Sequence, residues 1–109
     1  MPIPYDSPTV SLDRSEGRVI CCPECGGLTL HQCTVTVYER DGEDGPGTKV
    51  EVLSSKAVNV TRLERADLPG RRQSLDIEFR CEICNFDAGA SFILRIAQHK
   101  GETQVAWLR

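Results

Sequence analysis

Along most of the chain the large apolar residues recur at every second position, and no window shows the i, i+3, i+4, i+7 spacing of a helix over three turns. Leu75, Ile77 and Phe79 alternate with Asp76, Glu78 and Arg80, so Ser74 to Arg80 is predicted as a strand with one wet face. Thr34 to Tyr38 and Val50 to Leu53 are β-branched segments on either side of Asp41-Gly42-Glu43-Asp44-Gly45-Pro46-Gly47, a run that only a turn or loop accommodates. They are predicted to form a hairpin. Val58 and Val60 mark a further short strand, whereas Leu63 to Arg72, with its Leu68-Pro69-Gly70 stop, reads as a loop or a single helical turn.

The C-terminal segment permits a sharper deduction. Lys100-Gly101 can serve as a two-residue hairpin turn, with Gly supplying positive φ. If His99 opposes Glu102, then Ile96 faces Val105 and Leu94 faces Trp107, all on one side of the ribbon. A slip of one residue would set this face against polar groups, so turn chemistry and apolar pattern agree on one register. Residues 1–18 hold Pro2, Pro4, Pro8 and Gly17 with few large apolar groups and read as a flexible arm. The expectation is a flexible arm over 1–18 and one all-β domain over 19–109, with a twisted antiparallel sheet of about five or six strands.

Composition narrows the function. A chain of 109 residues fits one small domain and leaves no room for a two-domain enzyme with a cleft between its halves. Hydrophobic residues make up 39%, with six aromatics, a thin supply that calls for stabilisation from outside the core. Thirteen Lys and Arg against sixteen Asp and Glu give a net charge of -3, which excludes a strongly basic nucleic-acid coat. No basic start followed by an apolar run opens the chain, and apolar runs such as Phe92-Ile93-Leu94, which stops at Arg95, fall far short of the length needed to span a bilayer. The expectation is a cytoplasmic protein without a membrane span. In a thiol-reducing compartment paired cysteines point to metal before disulfides, and the sequon Asn59-Val60-Thr61 is a chance match.

Six cysteines supply the candidate chemistry. Cys22-Pro23-Glu24-Cys25-Gly26-Gly27 and Cys81-Glu82-Ile83-Cys84-Asn85-Phe86 are two C-x2-C elements. Each such turn brings two thiolates within bonding range of one cation, about 2.3 Å for zinc, and two turns close a tetrahedron. After the second cysteine the backbone must turn its N–H groups toward sulfur. Gly26 tolerates the positive φ this needs, and Asn85 is the next most tolerant residue type. N–H groups aimed at sulfur also spread the thiolate charge. Fifty-five residues separate Cys25 from Cys81. Closing that loop costs roughly 1 kcal/mol more than closing a compact one, against about 10–16 kcal/mol from a structural zinc, so the long spacing is no obstacle.

These two elements resemble the zinc ribbon family, in which four cysteines in two knuckles at the tips of β-hairpins hold one metal ion. The likeness covers Cys22 to Cys25 and Cys81 to Cys84 with their flanking strands, and CEICNF departs from the usual pattern by lacking a glycine. CPECGG, together with the tail IAQHKG and a following Trp, is also similar to small bacterial and phage proteins of no assigned activity. The resemblance implies an elaborated zinc ribbon with Cys22, Cys25, Cys81 and Cys84 on one structural Zn²⁺. It raises docking to protein or nucleic acid without choosing between them.

Rival chemistries are weaker. Iron in the same four-thiolate cage would make an electron carrier. A thioredoxin-like dithiol needs its C-x-x-C to open a helix, which neither knuckle does. A catalytic zinc needs an open coordination position that four cysteines close. Cys21 points to the opposite side of an extended backbone from Cys22, Cys33 reads as a small buried strand residue, and His31 as a solvated one. Gly42 to Lys49 approaches a phosphate-binding loop, but Thr48 and Lys49 stand in swapped order and a strand follows. No catalytic signature accompanies His31 or His99, so no enzymatic activity is expected.

Arg62, Arg65, Arg71 and Arg72 against Glu64 and Asp67 form a locally basic stretch, a candidate contact for nucleic acid. Phe79, Phe92 and Trp107 belong to apolar stripes, which within 19–109 leaves Tyr38 and Phe86 as stacking platforms. Four thiolates and one Zn²⁺ add -2 and take the formal charge from -3 to -5. The expected function is therefore a non-enzymatic zinc module that docks a protein partner, with nucleic-acid binding as the alternative and an iron electron carrier third.

Overall fold

The computed structural model describes residues 9–12, 17–42, 44–70, 72–84 and 91–108. Six antiparallel strands form one open sheet: β1 (Leu30–Arg40), β2 (Gly47–Val52), β3 (Val58–Leu63), β4 (Ser74–Cys81), β5 (Phe92–His99) and β6 (Glu102–Leu108). A single 3-10 turn at Arg65–Asp67 is the helical element among the described residues. Among the described residues, no helix is long and apolar enough to cross a membrane. The all-β expectation holds, with the strand count at its upper value.

Spatial order is β3-β2-β1-β4-β5-β6. Two three-strand meanders thus lie side by side, and the β3–β4 connection crosses the ends of β2 and β1 to join them, a Greek-key arrangement. The crossing is anchored from both sides. Leu68 lies buried over Gly47, where an added Cβ would come 2.2 Å from the Glu39 carbonyl oxygen and 3.0 Å from the Leu68 side chain. Arg40 reaches the same segment, donating to the Gly70 carbonyl from Nε at 2.9 Å and Nη2 at 2.6 Å, and to the Gly45 carbonyl from Nη1 at 3.1 Å.

Register sorts the side chains onto two unlike faces. Val60, Val50, Val37, Leu75, Ile96 and Val105 are successive cross-strand partners, and so are Val58, Val52, Val35, Ile77, Leu94 and Trp107. Two apolar ladders therefore cross every strand on one face. The pairings Leu94–Trp107, Ile96–Val105 and His99–Glu102 are those the C-terminal turn predicts, with Lys100 at φ 50° and Gly101 at φ 82°. At one end of this face Phe79, Leu94 and Trp107 form the buried core, with Phe79 and Phe92 edge-on to Trp107 at 5.7 and 6.3 Å between ring centroids. Val10, Ile20 and Leu30 pack against it. Of the predicted arm, Leu12 bridges Ile20 and the Ser11 carbonyl accepts from the Cys21 N–H at 2.9 Å; most of residues 1–18 lie outside the described residues.

The opposite face is mainly polar. Thr34, Thr36, Tyr38, Lys49, Glu51, Asp76 and Glu78, together with the apolar Leu53 and Ile93, line an open hollow of about 360 Å³. Gly42 to Lys49 is the β1–β2 turn and the start of β2, closed by the Asp41 N–H on the Pro46 carbonyl at 2.9 Å. It has no phosphate-loop geometry.

Candidate metal centre

The first knuckle is a tight turn just before β1. The Cys22 N–H donates to the Gly27 carbonyl at 2.8 Å and the Gly26 N–H to the Cys22 carbonyl at 3.0 Å, with Gly26 at φ 74°. The second knuckle begins at Cys81, the last residue of β4. Pairing of β1 with β4 sets the two side by side: Leu30 opposes Cys81, and the Glu82 N–H donates to the Thr29 carbonyl at 3.0 Å. The 55-residue insertion is thus closed by the sheet, because its strands return β4 to the start of β1. A bulge between Gln32 and Val35 adjusts this ladder, so Leu30 and Val35 both face the apolar side across the extra residue. Ile83 lies over Gly27, where an added Cβ would come 2.7 Å from Ile83 Cδ1 and 3.1 Å from Cys25 Sγ. The bare Cα of Gly27 lets the knuckles meet.

The sulfurs of Cys22, Cys25, Cys81 and Cys84 all lie within 4.8 Å of one another. Across the knuckles Cys22 Sγ is 3.7 Å from Cys84 Sγ, and Cys25 Sγ is 3.6 Å from Cys81 Sγ. A tetrahedron with metal–sulfur bonds of about 2.3 Å has edges of about 3.8 Å, so these separations fit one shared ion. A disulfide requires about 2.05 Å, and all six cysteines are free. Backbone N–H groups approach three of the sulfurs: Glu24 to Cys22 at 3.4 Å, Gly27 to Cys25 at 3.3 Å and Cys84 to Cys81 at 3.4 Å. Four cysteines thus stand ready to hold a metal ion, in a cage that suits zinc or iron alike.

Protonation of the cage is uneven. Burial pushes the Cys81 thiol up, but N–H groups of Cys84 and Ile83 and the neighbouring Cys25 and Cys22 sulfurs outweigh it and bring it down to about 7. The Cys84 thiol is raised, first by its contact with Cys25 and then by burial, and Cys22 is raised chiefly by burial. Cys81 therefore yields its proton most readily while Cys22 and Cys84 hold theirs, until a cation compensates the charge.

Cys21 and Cys33 stand outside the cage. The Cys21 thiol is 4.0 Å from the Val19 carbonyl, and Cys33, half-buried at the bulge, is 3.5 Å from the His31 carbonyl. His31 is exposed and meets Glu82 at 3.3 Å. Asn85 and Phe86 lie outside the described residues.

The basic stretch is less bare than its sequence implies. Arg62 donates to Asp41 from Nη2 at 2.7 Å and to Thr48 from Nη1 at 2.7 Å, and Arg65 is 3.6 Å from Asp44. Asp41 is held below the usual carboxylate range by its hydrogen bond from Arg62. Arg72 is exposed and Arg71 lies outside the described residues. Sequence reading missed these acidic partners because Asp41 and Asp44 come to Arg62 and Arg65 only through the β1–β2–β3 meander. Comparison with protein-family models, with curated proteins and with solved structures found no match.

Proposed function

We propose that this chain is a non-enzymatic, structural-zinc module that docks a protein partner. The observation that carries the metal assignment is the set of four sulfurs from two distant knuckles, spaced as the edges of one tetrahedron. A metal here would tie the segment before β1 to the end of β4, beside the buried core cluster of Phe79, Leu94 and Trp107. A closed four-thiolate shell supplies folding energy and leaves no coordination position for substrate. Cys22, Cys25, Cys81 and Cys84 would hold the ion, and the N–H groups of Glu24, Gly27 and Cys84 would share the thiolate charge.

Protein is the favoured partner class because the chain is acidic and Arg62 and Arg65 are matched by carboxylates, while apolar side chains of the sheet remain exposed. Elemental analysis of protein made in zinc-supplemented medium is expected to find one zinc per chain. Thiol counting should report two reactive groups, Cys21 and Cys33, rising to six after a chelator. A coloured preparation containing iron at one ion per chain would replace the structural reading with electron transfer. Tight oligonucleotide binding that weakens steeply with salt, and is lost on mutating Arg71 and Arg72, would replace the protein partner with nucleic acid.

A further inference from the structure

The two edges of the sheet are β3 and β6, and they differ. From Val58 to Arg62 every residue of β3 is exposed. Val58 and Val60, at 60% and 67%, are the most exposed aliphatic side chains in any described strand. Natural edge strands are blunted by proline, lysine or a bulge. β3 has no proline, pairs with β2 in unbroken register, and carries one charge, on Arg62, which Asp41 already engages.

The phase of its free backbone groups follows from the β2–β3 turn. The Leu53 N–H donates to the Ala57 carbonyl at 2.9 Å, so Leu53 and Ala57 are a hydrogen-bonded pair. In antiparallel sheets such pairs alternate with non-bonded ones. Val52–Val58, Val50–Val60 and Thr48–Arg62 are then the non-bonded pairs, and Val58, Val60 and Arg62 turn their N–H and C=O groups away from β2. An added antiparallel strand must present outward groups in the same phase.

We infer that the partner on this edge is a second copy of the chain, with β3 pairing antiparallel to β3 about a two-fold axis at Val60. This deepens the protein-docking reading and rests on it. In that register Val60 meets Val60 of the other copy and Val58 meets the other copy's Arg62. All the outward groups from Val58 to Arg62 are used, in three bonded pairs of two hydrogen bonds each. Asn59 and Thr61, both polar, meet on the other face. Beyond the strand ends, Lys56 of each copy comes opposite Glu64 of the other, a charge match at both ends. Two neighbouring registers share this phase, and each uses fewer outward groups: an axis at Asn59 would set Lys56 against Arg62, and an axis at Thr61 would set Glu64 against Val58 and lose the charge match. The chosen register also joins the Val60 ladders of the two copies into one apolar row across both sheets. The paired edge is smaller than a standard interface of about 800 Å² per partner, so the dimer should be weak and reversible.

Sedimentation equilibrium of the zinc-loaded full chain, over roughly 10 μM to 1 mM, is expected to show the average mass climbing from 12.1 kDa toward twice that value. Val60→Pro removes an outward N–H without costing a β2–β3 bond, and Val58→Lys places a charge on the edge; each should hold the chain monomeric. Val105→Lys on β6 should leave dimerisation unchanged. In a Cys21→Ser, Cys33→Ser background, mixed Asn59→Cys and Thr61→Cys chains should form a disulfide under mild oxidation at least tenfold faster than either alone. A chain that stays monomeric throughout, or a dimer that survives both Val60→Pro and Val58→Lys, overturns the inference. So does a dimer abolished by Val105→Lys but by neither β3 change. Metal content measured on the same samples keeps this failure separate: zinc-loaded monomer defeats only the self-pairing, whereas absent metal defeats the structural-zinc reading.

Discussion

Arg95 clasps Asp76 across the β4–β5 pair with two hydrogen bonds of 2.7 Å, Nε to Oδ1 and Nη2 to Oδ2, and both side chains are largely buried at 15% and 12% exposure. A forked contact of this kind, with two parallel hydrogen bonds, is geometrically demanding and strong for an ion pair. Removing one partner strands the other's charge in a poorly solvated place. Asp76→Ala should therefore cost about 2–4 kcal/mol in urea unfolding of the metal-loaded protein, and a paired Asp76→Val, Arg95→Met change should recover most of that loss. A single variant as stable as the parent would show that the pair contributes nothing.

Tyr38 shares the polar face with this pair. Its hydroxyl is raised above the ordinary tyrosine range, first by burial and then by the nearby Asp76 charge. Above about pH 10 an unfolded chain would lose the phenol proton while the folded one keeps it. The stabilisation is thus complete below pH 10 and declines as pH climbs through the raised folded value. In a Tyr5→Phe background, ultraviolet titration should find Tyr38 ionising later than free tyrosine. Asp76→Asn should move that midpoint down, though not fully, since burial remains.

Gly47 has no room for a side chain between the Glu39 carbonyl and Leu68. Gly47→Ala should lower stability by about 2–4 kcal/mol, because the contact is with backbone that cannot swing aside. Zinc stoichiometry should not change, as the β1–β2 turn lies at the other end of β1 from the knuckles. Thermal unfolding and metal analysis of one preparation test both halves of the statement.

Two lysines occupy backbone conformations that suit other residues: Lys56 at φ 72° and Lys100 at φ 50°. Lys56 closes the β2–β3 turn, where its N–H donates to the Leu53 carbonyl at 2.8 Å. Lys56→Gly should stabilise the chain by about 0.5–1 kcal/mol, and Lys100→Asn by a few tenths of that order. Denaturation at low protein concentration, with no gain in either variant, would contradict the account of both turns.

The cysteines divide into four and two. Ser in place of Cys22, Cys25, Cys81 or Cys84 should weaken zinc binding by more than about 100-fold, since each removes a thiolate from a closed shell. Cys21→Ser and Cys33→Ser should keep full metal stoichiometry. Competition against a chromophoric chelator provides the comparison.

Much of this architecture follows from short-range rules. Each C-x2-C turn is built within six residues, so the knuckles can be read from spacing and from Gly26 alone. The β5–β6 register is equally local, because a two-residue turn leaves one pairing that keeps Leu94, Ile96, Val105 and Trp107 on one side. Strand periodicity likewise marks β4 from its alternating residues.

Long-range pairing is another matter. That β4 lies beside β1, with β2 and β3 beyond, depends on a crossover anchored by Leu68 over Gly47 and by Arg40 on Gly70, contacts between segments that no turn rule connects. The Asp76–Arg95 clasp and the carboxylate partners of Arg62 and Arg65 arise from that same placement. Residue types and their spacing were enough to name four thiols able to share a cation, because the chemistry of a knuckle is local. Only the folded sheet could bring the two knuckles to 3.6–3.7 Å, pair off the arginines and leave the valines of β3 exposed on an edge, since each of these depends on residues far apart in the chain meeting in space.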